Sequence, residues 1–283
     1  MKHLASLISL AFVCALSAAP VVKSGNKISF LGDSITGLGT YHETGYVNLV
    51  IDGLKSVGIN AVRMPAGKGG DKAPMMLARM QRDSLAYKPD FMTLSCGVND
   101  VWHSVKKSGV ELPEYEKCIR EIVKNAKKAG VKVMILTPTI IYEDLNNDLN
   151  KKLAGYIAFL KKLAAEEDCV FVDTNAAVQD ELKRLRRTYP NIKGNVITID
   201  GIHMNPMGDA AMAKAILRGF GLTEKEIAAA ESGWGKRFFF SGMAKIRLKD
   251  FKKILSCSEA NKTTVSAAFN LILDKAFENC PQK

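Results

Sequence analysis

Histidine is scarce in this chain, with four in 283 residues, and the four are scattered. No H-x-H or H-E-x-x-H spacing occurs, so a local zinc motif is excluded and no metal is expected. Beyond residue 22 no uncharged run is long enough to cross a bilayer. There is no internal repeat and no low-complexity linker. Acidic charge is in deficit: 29 acidic residues face 40 basic ones, a formal net charge of +11. That surplus points toward anionic partners, yet no recognised nucleic-acid module accompanies it, and nucleic acid is not an expected partner. Composition is otherwise that of a folded protein, 47% hydrophobic and 24% charged, which excludes wholesale disorder and fibrous repeats. The length suits one large domain with an extension.

Lys2 and His3 precede an uncharged stretch, Leu4 to Val22, that is apolar at its centre and ends in Ser17, Ala18 and Ala19. This is the pattern of a cleaved signal peptide over residues 1–19, which implies a secreted or periplasmic protein with no stable membrane insertion once the leader is gone. Five cysteines follow the leader, an odd count. Cys96, Cys118 and Cys169 sit in apolar contexts and read as core residues. Cys257 and Cys280 are the candidates for a bridge.

The body alternates strands and helices. Short apolar runs at Lys27–Leu31, Asn60–Met64, Phe91–Ser95, Lys132–Thr137 and Cys169–Asp173 predict five strands, the second ending at Pro65. Helical periodicity predicts helices near 44–57, 73–86, 115–129, 148–167, 175–187 and 207–220. Such alternation, with near-continuously apolar strands, indicates an α/β fold with a parallel sheet covered on both faces. The site is then expected at the carboxyl ends of the strands.

Polar elements occur at those ends. Gly32-Asp33-Ser34-Ile35 follows the first strand and resembles a nucleophile elbow without its usual closing glycine. Gly67-Lys68-Gly69-Gly70-Asp71 follows the second strand, and Gly97-Val98-Asn99-Asp100 the third. Asp200-Gly201-Ile202-His203 stands far downstream, before a helix. Together they supply a hydroxyl, an imidazole, a carboxylate and oxyanion donors, the set that acyl transfer requires.

These four blocks, in this order, resemble those of the SGNH hydrolases, also called GDSL esterases. Gly45-Tyr46-Val47-Asn48-Leu49-Val50, Asn99-Asp100-Val101-Trp102 and Phe171-Val172-Asp173-Thr174 resemble the acetylxylan esterase and carbohydrate deacetylase branch. The resemblance covers residues 25–221 and implies a three-layer α/β/α, flavodoxin-like fold with a five-stranded parallel sheet. It implies that Ser34 is the nucleophile, His203 the base and Asp200 its orienting carboxylate. The Ser34 and Gly70 backbone N–H groups and the Asn99 amide would form the oxyanion hole. The second block departs from the family, with Pro65 where asparagine is usual and Lys68 inserted. Gly70 is chosen because Asp71 follows it, and Gly69 and Gly67 are the fallbacks. No cofactor is implied. The implied substrate is an acetylated carbohydrate, with an acidic glycan favoured by charge. A lipase, lysophospholipase or thioesterase of the same fold and a non-catalytic glycan-binding protein remain alternatives.

Four further residues are candidates for lining the substrate site: Asp33, Trp102, His42 and His103. For Asp33 the competing reading is a loop brace, for Trp102 core packing, and for the histidines surface or loop roles. Lys183, Arg184, Arg186 and Arg187 read as a solvated helix face. Residues 222–283, with eleven basic and seven acidic residues, read as a basic helical extension. In it Thr223 and Glu226 form a capping box, and helices are expected near 243–256 and 262–278.

Overall fold

A computed structural model describes residues 21–188, 190–191, 194–234, 257, 260–263 and 265–278. The leader, the helix expected at 243–256 and Cys280 lie outside the described residues. Two compact units divide the chain, Met1–Phe239 and Phe240–Lys283.

The first unit is built on a parallel sheet of five strands: β1 (Lys27–Gly32), β2 (Val62–Gly67), β3 (Phe91–Ser95), β4 (Lys132–Leu136) and β5 (Val170–Val172). Their order is β2-β1-β3-β4-β5, with every pairing parallel. The central strands read as continuous apolar runs because helices cover both faces. Phe30, Leu31, Met92, Leu94, Ile135 and Leu136 are all buried. Strand order reverses between β1 and β3, which opens a crevice at their carboxyl ends.

Two groups of helices enclose the sheet. One contains α1 (Ser34–Tyr41), α2 (Tyr46–Ser56), α7 (Thr174–Thr188), α8 (Pro206–Gly219) and α9 (Glu224–Trp234). The other contains α3 (Ala73–Asp83), α4 (Val98–Trp102), α5 (Leu112–Lys128) and α6 (Asp148–Glu166). In α5 the residues Tyr115, Cys118, Ile119, Ile122, Val123 and Ala126 are buried, the stripe expected from helical spacing. Pro113 occupies its first turn, where its missing N–H costs nothing, and the helix begins three residues before the expected start.

Three features differ from the sequence reading. β2 does not stop at Pro65 but runs on to Gly67, with Pro65 opposite Phe30. The strand lies at the sheet edge, where one side needs no partner for an N–H, so proline is tolerated. A helix absent from the sequence reading, α1, begins at Ser34 itself. Lastly, the first unit does not end at residue 221. Thr223 and Glu226 form the expected capping box, the Thr223 N–H donating to Glu226 at 2.8 Å and the Glu226 N–H to Thr223 Oγ1 at 3.3 Å. The helix so started packs on α2 and α8 and buries Ile227, Ala230 and Trp234, so it belongs to the body.

Within the second unit, α10 (Val265–Glu278) accounts for most of the helix expected at 262–278. Among the described residues no helix is long and apolar enough to cross a membrane.

Candidate active site

Ser34 is the first residue of α1. Asp33 caps that helix, its carboxylate accepting the Ile35 N–H at 2.9 Å. Such a cap stabilises a helix by about 1 kcal/mol. It also fixes the turn that lifts Ser34 off the end of β1. A helix N-terminus favours negative charge, so the Ser34 N–H belongs where an oxyanion would form.

His203 Nε2 lies 2.9 Å from Ser34 Oγ, and His203 Nδ1 lies 2.6 Å from Asp200 Oδ2. The other Asp200 oxygen accepts the backbone N–H groups of Ile202 at 3.0 Å and His203 at 2.8 Å. Partial burial works to raise the Asp200 pKa, but these donors and the imidazole outweigh it and hold the carboxyl below its ordinary value. Asp200 is therefore an anion fixed against one imidazole nitrogen while the other faces the serine hydroxyl.

At the start of α4, after β3, the Asn99 amide is buried, 2% exposed. One of its N–H groups donates to the Asp71 carbonyl at 3.0 Å, which leaves the second for a ligand. Gly70 precedes Asp71 and has φ +77°, a conformation that favours glycine. Of the fallbacks, Gly67 is the last residue of β2, in register with Gly32 of β1, and so belongs to the sheet and not to the loop. The Gly70 loop is pinned from below by Arg79, which was not singled out from sequence. Its buried guanidinium pairs with Asp71 and donates to the Ala66 carbonyl at 2.9 Å and the Gly32 carbonyl at 2.8 Å. One side chain thus ties the ends of β1 and β2 to the loop. Its signal was a charge between the apolar positions Met76 and Met80 of α3.

Asp100 is also buried. It accepts the Ala73 N–H at 2.9 Å and so fixes α3 beside the loop. Desolvation raises its pKa to about 6 and that of Asp33 to about 7. Asp33 is 2% exposed and committed to its cap, so it acts as a brace rather than lining the substrate site. Cys96 is buried against Asp100, and desolvation pushes its thiol well above the usual range, which disfavours a thiolate nucleophile.

The remaining candidates separate. His42 follows α1, which rises about 12 Å from Ser34, and its ring packs edge-on against Tyr41 at 5.5 Å. The helix carries it away from the nucleophile. The Trp102 and His103 rings meet at the end of α4 with centroids 5.3 Å apart and planes tilted by 45°. The Trp102 indole is half-buried and donates to the Tyr142 hydroxyl at 2.9 Å. Burial first, then the charges of Lys72 and Lys106, lower the His103 pKa.

Two residues after β4 were missed altogether. Tyr142 has φ +59° and is 42% exposed, and its N–H donates to the Gly201 carbonyl at 2.7 Å. The side chain of Glu143 is only 4% exposed. Its oxygens accept the N–H groups of Val196, Ile197 and Thr198 and the Thr198 hydroxyl, all at 2.9–3.0 Å. Arg186 donates to it at 2.7 Å, so this arginine is no plain solvated residue of α7. Thr198 Oγ1 in turn accepts the Gly201 N–H at 3.1 Å, which links Glu143 to the Asp200–His203 turn.

A hydroxyl, an imidazole and a carboxylate in hydrogen-bonded series, beside a buried amide and a left-handed glycine, can carry acyl transfer. Comparison with known proteins gives the same chemistry. The GDSL-like Lipase/Acylhydrolase family matches residues 30–211. An acetylxylan esterase from Geobacillus stearothermophilus is 32% identical over 219 residues, 71% of this chain and 96% of that protein. The crystal structure of Axe2, an acetylxylan esterase from the same organism, has a TM-score of 0.63 at 28% identity, covering 71% of this chain and 97% of its own. Axe2 has also been solved as catalytic mutants in which a serine, an aspartate or a histidine is replaced by alanine. An acetyl xylan esterase, AlAXEase, has a TM-score of 0.60 at 30% identity, covering 68% of this chain and 98% of its own. With the fold, the site and the relatives in agreement, the chain belongs to the GDSL-like lipase/acylhydrolase family and is a carboxylic ester hydrolase of the SGNH type.

Proposed function

We propose that the protein is an exported serine esterase that removes O-acetyl groups from a carbohydrate. The observation that carries this reading is the Ser34–His203–Asp200 relay, with contacts of 2.9 and 2.6 Å. The acetylxylan esterase relatives support the acetyl group and the sugar. The catalytic mutants of Axe2 alter the same three residue types.

In this mechanism Ser34 Oγ attacks the acetyl carbonyl while His203 Nε2 takes its proton. Asp200 holds the tautomer with hydrogen on Nδ1 and stabilises the imidazolium that forms. Negative charge develops on the carbonyl oxygen, which accepts the Ser34 and Gly70 N–H groups and the second Asn99 N–H. His203 then gives its proton to the departing sugar hydroxyl, leaving acetyl-Ser34. Water, activated by the same imidazole, releases acetate and restores the serine.

The test is acetate release from acetylated xylo-oligosaccharide. Ser34→Ala should lose at least about a thousandfold in kcat. An unchanged rate would overturn the mechanism. Export rests on the 1–19 leader, and intact mass of the protein recovered from the medium should show the chain beginning at residue 19 or 20. Recovery of the full-length chain would refute cleavage.

A further inference from the structure

Tyr142 is exposed yet held at three points. Its N–H is bonded to the Gly201 carbonyl at 2.7 Å, and its hydroxyl accepts the Trp102 indole N–H at 2.9 Å. Its ring packs on Gly201, where a Cβ would come within 2.6 Å of the ring. A non-glycine residue at φ +59° costs conformational energy, and such outliers persist where the surroundings over-determine them. Packing for its own sake explains little of this, because 42% of the residue remains exposed. A rigid exposed aromatic is instead suited to binding, since its ordering cost is met before a ligand arrives.

The direction of the chemistry says which ligand. Gly70 and Asn99 fix the side of Ser34 that receives the carbonyl oxygen. The leaving oxygen must lie within reach of His203 Nε2, so the alcohol half of the ester occupies the His203 side. Tyr142 packs on Gly201, two residues before His203. Trp102 stands on α4, three residues beyond Asn99. The pair therefore bridges the Asn99 helix and the His203 turn. Aromatic rings offer an apolar face with polar ends, which matches the C–H face and flanking hydroxyls of a pyranose.

We propose that Tyr142, braced by Trp102, is the sugar-recognising wall of the site and binds the pyranose ring that carries the departing hydroxyl. This deepens the proposed function and rests on it. The experiment compares wild type, Tyr142→Ala and Tyr142→Phe on acetylated xylo-oligosaccharide and on ethyl acetate, which has no ring. Tyr142→Ala should lose roughly tenfold in kcat/KM on the saccharide, mainly through KM, and stay within about twofold on ethyl acetate. Tyr142→Phe keeps the ring and should recover most of the loss. Equal losses on both esters would mean that the ring only props the His203 turn, and no loss on either would mean that it is idle; each overturns the proposal. If wild type cleaves ethyl acetate but no acetylated saccharide, the carbohydrate reading fails and the wall falls with it. If wild type cleaves both and Tyr142→Ala does not discriminate between them, the wall alone fails.

Discussion

The two flanks of Ser34 are built from different materials, and their carboxylates titrate in opposite directions. On the oxyanion flank, Asp33 and Asp100 are buried at helix starts with few donors, and desolvation raises them to about 7 and about 6. On the base flank, Asp200 and Glu143 accept several backbone N–H groups, which overcome desolvation and lower both. The first flank hangs on strand ends and helix N-termini. The second is an irregular segment, 194–205, held in place from the β4 end by Glu143. Regular elements position groups through the fold itself, whereas an irregular loop needs a dedicated anion to collect its unpaired donors.

The sharpest way to break the symmetry of roles is Asn99→Ala. This removes a donor aimed at charge that exists only in the transition state. The expected loss in kcat is about 100- to 1000-fold with little change in KM. Circular dichroism and Tm should report an intact fold. A loss confined to KM would assign Asn99 to substrate binding and leave the oxyanion to Ser34 and Gly70.

Glu143 tests the other flank. Glu143→Gln keeps the volume but presents an amide to backbone donors that need an acceptor, and a buried mismatch of that kind costs about 1–3 kcal/mol. The Asp200–His203 turn should loosen, and a displacement of about 1 Å can cost as much as a hundredfold in rate. The expected fall in kcat is about 10- to 100-fold, smaller than for Asn99→Ala and accompanied by a lower Tm. Its pH dependence follows from the sign of the shift. Burial raises the Glu143 pKa, but the Ile197, Val196 and Thr198 donors bring it below 4.5. The stabilisation is therefore complete above 4.5 and lost as pH falls through the lower, folded value. Melting curves at pH 7 and pH 3 should show the gap between wild type and Glu143→Gln closing in acid. A gap independent of pH would mean that this carboxylate is not the anchor.

The same contrast explains what could be read in advance. Ser34 and Asn99 follow strand ends and the Asp200–His203 turn precedes a helix, each in a short contiguous motif, so all three stood out. Gly70 required a choice among three glycines, and only the backbone conformation and the end of β2 separate them. Glu143 gave no signal, because it lies in a polar run, Glu143-Asp144-Leu145-Asn146-Asn147, and its partners are mainly backbone N–H groups. Arg186 was hidden in the same way among the cations of α7. Pro65 misled because proline usually ends a strand, and edge position is a property of the sheet rather than of the segment. The 221 boundary followed the last motif, while the burial of Trp234 follows from packing against α2 and α8.

The smallest expected effect concerns Asp33, and it probes the oxyanion flank through its charge alone. Asp33→Asn leaves a carbonyl to accept the Ile35 N–H and removes the ionisation. In the folded protein burial raises the pKa from 3.8 to about 7, so between those values the native state holds a proton that the unfolded chain has released. Stability of the wild type therefore declines as pH rises through that window, and the asparagine variant is spared the decline. Relative to wild type, Asp33→Asn should gain Tm from pH 4 to about pH 7 and level off above it. A Tm difference that stays flat across this range would show that Asp33 is ionised throughout. The contrast between the two flanks would then lie in their architecture and not in their electrostatics.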